Sequence, residues 1–286
     1  MNAVFWAAGV AGGLVGALWV LNRLGERRWT STVVALTERL GRRVIAGPCP
    51  RYDPAELDGL PAPVQRYFRT VLQAGQPIIA SVSIDMTGRF KWSMTGQRWV
   101  AFTAHQRVQV RRPGFVWDAR MVIGPGLPVR VMDSYVGGEG RLSVAVMGLL
   151  TVASAGGRAD MDRAEFIRWL AEAAWYPTAL LPSQGVRWQA VDDSSANATV
   201  KDGPLTVTLR CHFDAAGLIS VIRFEARGAL VRGHLRLLPW EARWTDYQRC
   251  HGMTLPMCGE VAWVLPQGPQ TCFEGRVSAI RHEDTA

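Results

Sequence analysis

FVWDARMVI, residues Phe115–Ile123, places Phe115, Trp117, Ala119, Met121 and Ile123 at alternate positions with Asp118 and Arg120 between them. Successive side chains of a strand point to opposite faces, so a two-residue period describes a strand with one oily and one polar side. The period recurs in both directions. Val82, Ile84 and Met86 follow it upstream, as do Val100, Phe102 and Ala104, then Val108 and Val110. Downstream it continues through Leu142, Val144 and Val146, then Leu205, Val207, Leu209, Cys211 and Phe213. Ile219–Phe224, Trp240/Ala242/Trp244, Met253/Leu255/Met257 and Val261/Trp263/Leu265 carry it nearly to the end. Gly137–Gly140, Asp202-Gly203 and Asp214–Gly217 lie between such runs and read as hairpin turns. Strands do not alternate with helices, which argues against a parallel sheet. The expectation is an α+β fold: a large curved antiparallel β-sheet of about ten strands, an open half-barrel, with one or two covering helices.

Two stretches of the body have a helical period. In Leu60–Leu72, Val64, Tyr67, Phe68, Val71 and Leu72 form one stripe, with proline confined to the first turn. The second begins AEFIRWLAEAAWYPTALLPSQGVRW, Ala164–Trp188. Asp162 and Glu165 have the spacing of a capping box, and Phe166, Ile167, Leu170 and Ala174 share a face. Glu165, Arg168 and Glu172 read as a solvated salt ladder on another face. Pro177 ends the helix. A helix laid over a hollow sheet either fills the hollow or roofs a space for a ligand, and both readings stand.

The N-terminus has a different character. Val4–Leu21, VFWAAGVAGGLVGALWVL, is uncharged over eighteen residues with Trp6 and Trp19 near its ends. At about 1.5 Å per residue it just spans a hydrocarbon core. The organisation expected is therefore a transmembrane anchor over 1–23, an amphipathic juxtamembrane helix and linker over 24–50, and a β-rich domain over 51–286. Trp29, Val33, Leu36, Leu40 and Val44 make the stripe of the juxtamembrane helix, which suits either lipid headgroups or the face of the domain. Arg23, Arg27 and Arg28 follow the apolar run, which favours a single-pass protein of a bacterial inner membrane with its main domain in the cytoplasm. Gly9, Gly12, Gly13 and Gly16 give two G-x-x-x-G spacings, the arrangement of a homodimer through the anchor.

The net charge of +8 comes from 30 arginines and two lysines, Lys91 and Lys201, against 24 acids. The arginines are scattered, without a basic run, so nucleic acid is not an expected partner. Cys49, Cys211, Cys250, Cys258 and Cys272 are odd in number and lack C-x-x-C spacing, so neither a disulfide framework nor zinc is expected. His105, His212, His234, His251 and His282 are dispersed, and G-x-S-x-G and H-E-x-x-H are absent. No metal, cofactor or catalytic residue is assigned, and an enzyme is the third reading after ligand carrier and membrane scaffold.

The phrases LPAPVQRYF (Leu60–Phe68), PGFVWDA (Pro113–Ala119) and RWLAEAAWYPTALLPS (Arg168–Ser183) resemble a bacterial family known as a domain of unknown function. Trp244, Tyr247, Gly252, Pro256, Glu260 and Trp263 continue the resemblance. It implies no activity. The sheet-plus-helix pattern is also similar to the lipoprotein-carrier (LolA-like) half-barrel, whose helices close an apolar cavity. Of twelve tryptophans two belong to the expected anchor, and those on strands, Trp99, Trp117, Trp188, Trp240, Trp244 and Trp263, would line such a hollow well. The candidate ligand site comprises Trp117, Asp118, Asp133, Tyr135, Trp175, Tyr176 and Trp188. Its ligand would be an apolar small molecule or a membrane lipid.

Overall fold

The computed structural model describes residues 2–42, 50–92, 96–124, 126–231 and 234–284; side-chain surroundings are described for these except at 2–15 and 229–236. One antiparallel sheet organises the chain. Its strands are β1 (Ser81–Lys91), β2 (Trp99–Gln109), β3 (Gly114–Ile123), β4 (Leu127–Val136), β5 (Glu139–Val146), β6 (Leu150–Gly156), β7 (Arg187–Asp192), β8 (Ser195–Asp202), β9 (Leu205–Phe213), β10 (Ile219–Val231), β11 (His234–Cys250), β12 (Met253–Leu265) and β13 (Gly268–Glu283). They run in the order β6-β5-β4-β3-β2-β1-β13-β12-β11-β10-β9-β8-β7, so β1 and β13 meet in the middle and β6 and β7 are free edges.

The sheet bends strongly. Nine places separate β4 from β8, about 43 Å in a flat sheet. Yet the Tyr135 hydroxyl of β4 donates to Asp202 Oδ2 of β8 over 2.8 Å. The hollow so formed is half filled. Helix α2 (Ala62–Val71) closes one end with Val64, Tyr67 and Phe68 fully buried. Helix α3 (Ala159–Ala171) and the 3-10 turns over Glu172–Trp175 and Pro177–Leu180 cross the middle. Tyr135 stacks on Phe166, and Trp169 donates its indole N–H to the Gln109 carbonyl at 2.9 Å.

Bending leaves a signature in the register. Gly88 of β1 pairs with Gly275 of β13, and Gly275 with Gly259 of β12. A Cβ on these glycines would stand 2.7 Å from the Phe102 ring, 2.9 Å from the Phe273 ring and 2.8 Å from the Trp244 ring, respectively. The rings lie against bare backbone, as an open bend permits and a side chain would forbid.

Helix α1 (Asn2–Gly41) packs on the outer, convex face. Trp29 packs with Met132 and Ala145, Leu40 with Val116 and Val136, and Val33 and Leu36 with both groups. The Trp29 indole donates to Asp118 Oδ1 at 2.7 Å. The stripe from Trp29 to Leu40 therefore serves the domain. Among the described residues no helix is long and apolar enough to cross a membrane. Of the expected anchor, residues 2–15 have a described helical backbone only, and Gly9, Gly12 and Gly13 fall there; Gly16 has nothing within 4 Å of where its Cβ would be.

Among the described residues, thirteen strands replace the expected ten or so. β4 escaped because α1 covers its outer face, so Met132, Ser134 and Val136 are buried as well as Val129, Val131 and Tyr135, and the alternation is lost. β6 escaped because every residue in it is exposed. In β13 a bulge opposite Asp85/Met86 breaks the period. The capping box is also corrected: α3 begins at Ala159, and Asp162 instead accepts the Gly140 N–H of the β4–β5 turn at 2.7 Å.

Substituting Gly88→Ala sets a Cβ 2.1 Å from the Glu274 carbonyl oxygen and should cost about 1–3 kcal/mol. Gly16→Ala meets nothing and, inside a helix, should raise stability by up to about 1 kcal/mol. Denaturant midpoints of the two variants test this.

Candidate functional site

The unfilled half of the hollow is a cavity of about 560 Å³, lying between α3 and the strand ends beyond it. Six tryptophans line it: Trp92, Trp117, Trp175, Trp240, Trp244 and Trp263. Phe90, Phe273, Met121 and Val131 supply most of the remaining apolar wall. The glycine row forms part of the wall through Gly259, and there the Trp244 ring lies edge-on to Trp175 with centroids 4.7 Å apart. Trp175 is fixed by its indole N–H, which donates to the Pro256 carbonyl at 2.9 Å.

Where α3 meets the cavity, five ionisable groups crowd together. Arg168 donates from Nη1 to Asp133 Oδ2 at 2.5 Å and from Nε to Glu172 Oε1 at 2.7 Å. Glu172 Oε2 also accepts from Gln106 Nε2 at 2.6 Å. The Arg168 guanidinium lies over the rings of Phe115 and Trp117, 4.8 and 5.1 Å from their centroids. Arg227, from β10, lies 4.9 Å above the Trp240 centroid with Glu165 at 3.7 Å. The side chains of Arg168, Asp133 and Glu172 are only 13–15% exposed, so the Glu165/Arg168/Glu172 ladder is a buried network and not a solvated face. Burial is imposed by the sheet wrapping over α3, which no local helical spacing records.

Burial pushes the Glu165 carboxyl well above the usual carboxylate range; nearby Asp133 pushes it further, and Arg227 and Arg168 pull it back. Burial draws the Arg168 guanidinium down, but Glu172, Asp133 and Glu165 outweigh it and hold the charge more firmly than in water. Cys272 in the cavity wall is pushed up to about 11 by burial, so it is a thiol and a poor nucleophile at neutral pH.

Of the residues expected at a ligand site, Trp117, Asp133 and Trp175 line the cavity. Asp118 does not, because it follows Trp117 and points to the convex face under Trp29. There it borders a shallow polar groove with Asp85 and His105, whose Nδ1 lies 2.6 Å from Asp85 Oδ1. Tyr135 and Tyr176 belong to the solid core, the Tyr176 hydroxyl donating to the Trp169 carbonyl at 2.5 Å. Trp188 packs on Phe68 and Phe213 at the α2 end and donates to the Leu180 carbonyl. Arg168 and Arg227 were missed. Arginines abound in this chain, and only the bulge after Phe224 turns Arg227 inward. Trp240, Trp244 and Trp263 stood at alternating strand positions, the one signal available for the far wall.

Residues 58–282 match the model of a family of unknown function, DUF6920. The chain belongs to this family. No curated protein matches it. Among solved structures, a LolA superfamily protein, NE2245 from Nitrosomonas europaea, aligns at 12% identity over 72% of this chain and 87% of its own, with a TM-score of 0.38. A beta-barrel-like protein of domain of unknown function DUF1849 from Brucella abortus aligns at 10% identity over 75% of this chain and 100% of its own, with a TM-score of 0.23. Neither likeness is close enough to carry an argument about this DUF6920 chain, whose site is read from its own geometry.

Removing Arg168 in Arg168→Met strands Asp133 and Glu172 in the interior and should cost about 3–5 kcal/mol. The double change with Asp133→Asn should recover part of the loss. Glu165→Gln tests the pH side. A carboxyl raised in the folded state is protonated in both states at acid pH and carries no penalty there. As pH rises past the usual glutamate range, the folded state must keep the proton or bury a charge, so stability falls. The glutamine variant should match the parent in acid and exceed it progressively toward alkaline pH in denaturation midpoints.

Proposed function

We propose that this protein is a membrane-tethered domain that binds, and hands on, one apolar lipid-like ligand in the aromatic cavity. The observation that carries the reading is the cavity itself: about 560 Å³ of space walled by tryptophan, phenylalanine and aliphatic side chains inside an otherwise packed core. Such volumes are ordinary for small-molecule sites, ~300–1,000 Å³, and an apolar wall with a few convergent polar groups is their usual composition. The mutually paired charges at the α3 end favour recognition over chemistry, because Arg168 already has two carboxylates and, among the described residues, the lining thiol of Cys272 is pushed up by burial.

Tethering is supported by Val4–Leu21, an uncharged run at the start of α1. Arg23, Arg27 and Arg28 immediately after it support a cytoplasmic position for the β domain.

Purified full-length protein is expected to release a lipid on organic extraction, identified by mass spectrometry, and to bind a fluorescent fatty acid. Ala242→Phe and Val131→Phe fill the cavity from opposite walls and should each weaken that binding about tenfold or more, ~1.4 kcal/mol, without loss of the folded baseline. Absence of both extracted lipid and probe binding refutes the reading.

A further inference from the structure

Among the described residues, thirteen large hydrophobic side chains stand exposed, and eleven of them gather at one end of the molecule. The meander puts the β1–β2, β3–β4, β5–β6, β8–β9, β10–β11 and β12–β13 turns at the same ends of their strands, the β8–β9 turn being drawn away across the hollow by the Asp202–Tyr135 bond. Trp92, Val122, Leu127, Leu150 and Val152 lie beside three of these turns, and Leu237 on the β10–β11 hairpin. The other five, from Leu18 to Leu24, are on α1. Only Val34 and Val191 lie elsewhere.

Helix α1 leaves the sheet at this same rim. Gly25 touches the β5–β6 turn so closely that a Cβ would stand 1.9 Å from the Met147 carbonyl oxygen. Residues before it project past the rim by about 35 Å at the helical rise. The β10–β11 hairpin overshoots too. Trp240 faces Trp263, and β12 ends two residues later at Leu265, whereas β11 extends back six residues to His234. The excess is about 13 Å of strand. Ala229–Leu238 contains Arg232 and Arg236 and no acid.

The rim is basic as well as oily. Glu26 is shared by Arg23, Arg120 and Arg130 at 3.9, 3.7 and 3.1 Å. Arg23 lies 5.3 Å from the Trp19 centroid, an aromatic–guanidinium pair suited to a membrane interface. The cavity is lined on this side by Phe90, Lys91 and Trp92, beside the β1–β2 turn.

We infer that this rim is a docking surface for an anionic lipid bilayer, with the cavity opening onto it, so that the ligand enters from the bilayer without crossing water. Projection of α1, the overshooting hairpin and the oily, basic rim all select a membrane over a folded partner. The docking clause stands on these observations alone; the entry clause rests on the ligand-binding reading.

The test uses the full chain, its cysteines replaced, in phosphatidylcholine vesicles with and without phosphatidylglycerol. Single nitroxide labels at Val122→Cys, Leu127→Cys and Leu237→Cys are expected to collide severalfold more with oxygen, relative to a water-soluble nickel chelate, than one at Val191→Cys. Phosphatidylglycerol should strengthen the contrast. Rim labels as open to nickel as Val191→Cys, or shielded from both agents as in a protein contact, overturn the docking. A Val122→Glu/Leu127→Glu/Leu237→Glu variant should keep its affinity for the fluorescent fatty acid in detergent but take it up severalfold more slowly from vesicles; unchanged uptake overturns the entry route. Lipid-exposed rim labels in a protein that binds no fatty acid would uphold the docking and end the carrier reading instead.

Discussion

Gly88, Gly275 and Gly259 stand side by side across three central strands, and the rings of Phe102, Phe273 and Trp244 lie against their backbone. A thirteen-stranded sheet with free edges has to bend to bury its apolar face. Side chains at the inner surface of a bend crowd one another; their absence along one row lets large rings lie flat where they would otherwise collide. The same row decides where the hollow stays open. Rings against the glycine row form part of the wall and leave the middle free, whereas at the α2 end Tyr67, Phe68 and Phe213 pack on one another and fill it.

The two halves of the hollow divide the labour. Around α2 and the first part of α3 the interior is a solid core that holds the bend shut, with Tyr135 clasping Asp202 across it. Toward the rim the interior is a cavity whose charged end is paired through Arg168, with Asp133 Oδ1, Glu165 Oε2 and Gln106 Oε1 buried and without a hydrogen-bond partner. Arg168 is the pivot of that end: it is held by two carboxylates, lies over two rings, and separates the dry core from the space beside it.

What the chain discloses unaided depends on how local the cause is. FVWDARMVI shows its two-residue period because one face meets the core and the other, at Asp118 and Arg120, is polar. VRVMDSYV does not, because a helix distant in sequence covers its outer face. Asp133 could be placed near a site only by its closeness in sequence to Tyr135; that it faces Trp117 across β3 and β4 is a fact of the strand pairing. Asp118 was misplaced against its own alternation: standing next to Trp117 in the strand it has to point to the opposite face, where Trp29 docks. Glu165, Arg168 and Glu172 have the spacing of an exposed ladder, and their burial follows from the closing of strands distant in sequence, Asp133 lying 35 residues from Arg168 and Arg227 62 residues from Glu165. Tyr135 and Tyr176 are aromatic residues of the kind a cavity uses, and nothing in their neighbours' identity tells a lining ring from a packed one.

Helix α1 is a single rod of 40 residues, about 60 Å long. From Gly25 to Leu40 it is seated on the strands whose other side bears Trp117 and Asp133, with Trp29 bolted to Asp118 midway. No flexible joint separates its free half from the seated half. Whatever grips the N-terminal end therefore sets the attitude of the whole barrel: a tilt or twist applied there is delivered, undamped, to the floor beneath the tryptophan cage. The protein is built less like a bead on a string than like a ladle, whose bowl faces only where the handle points it.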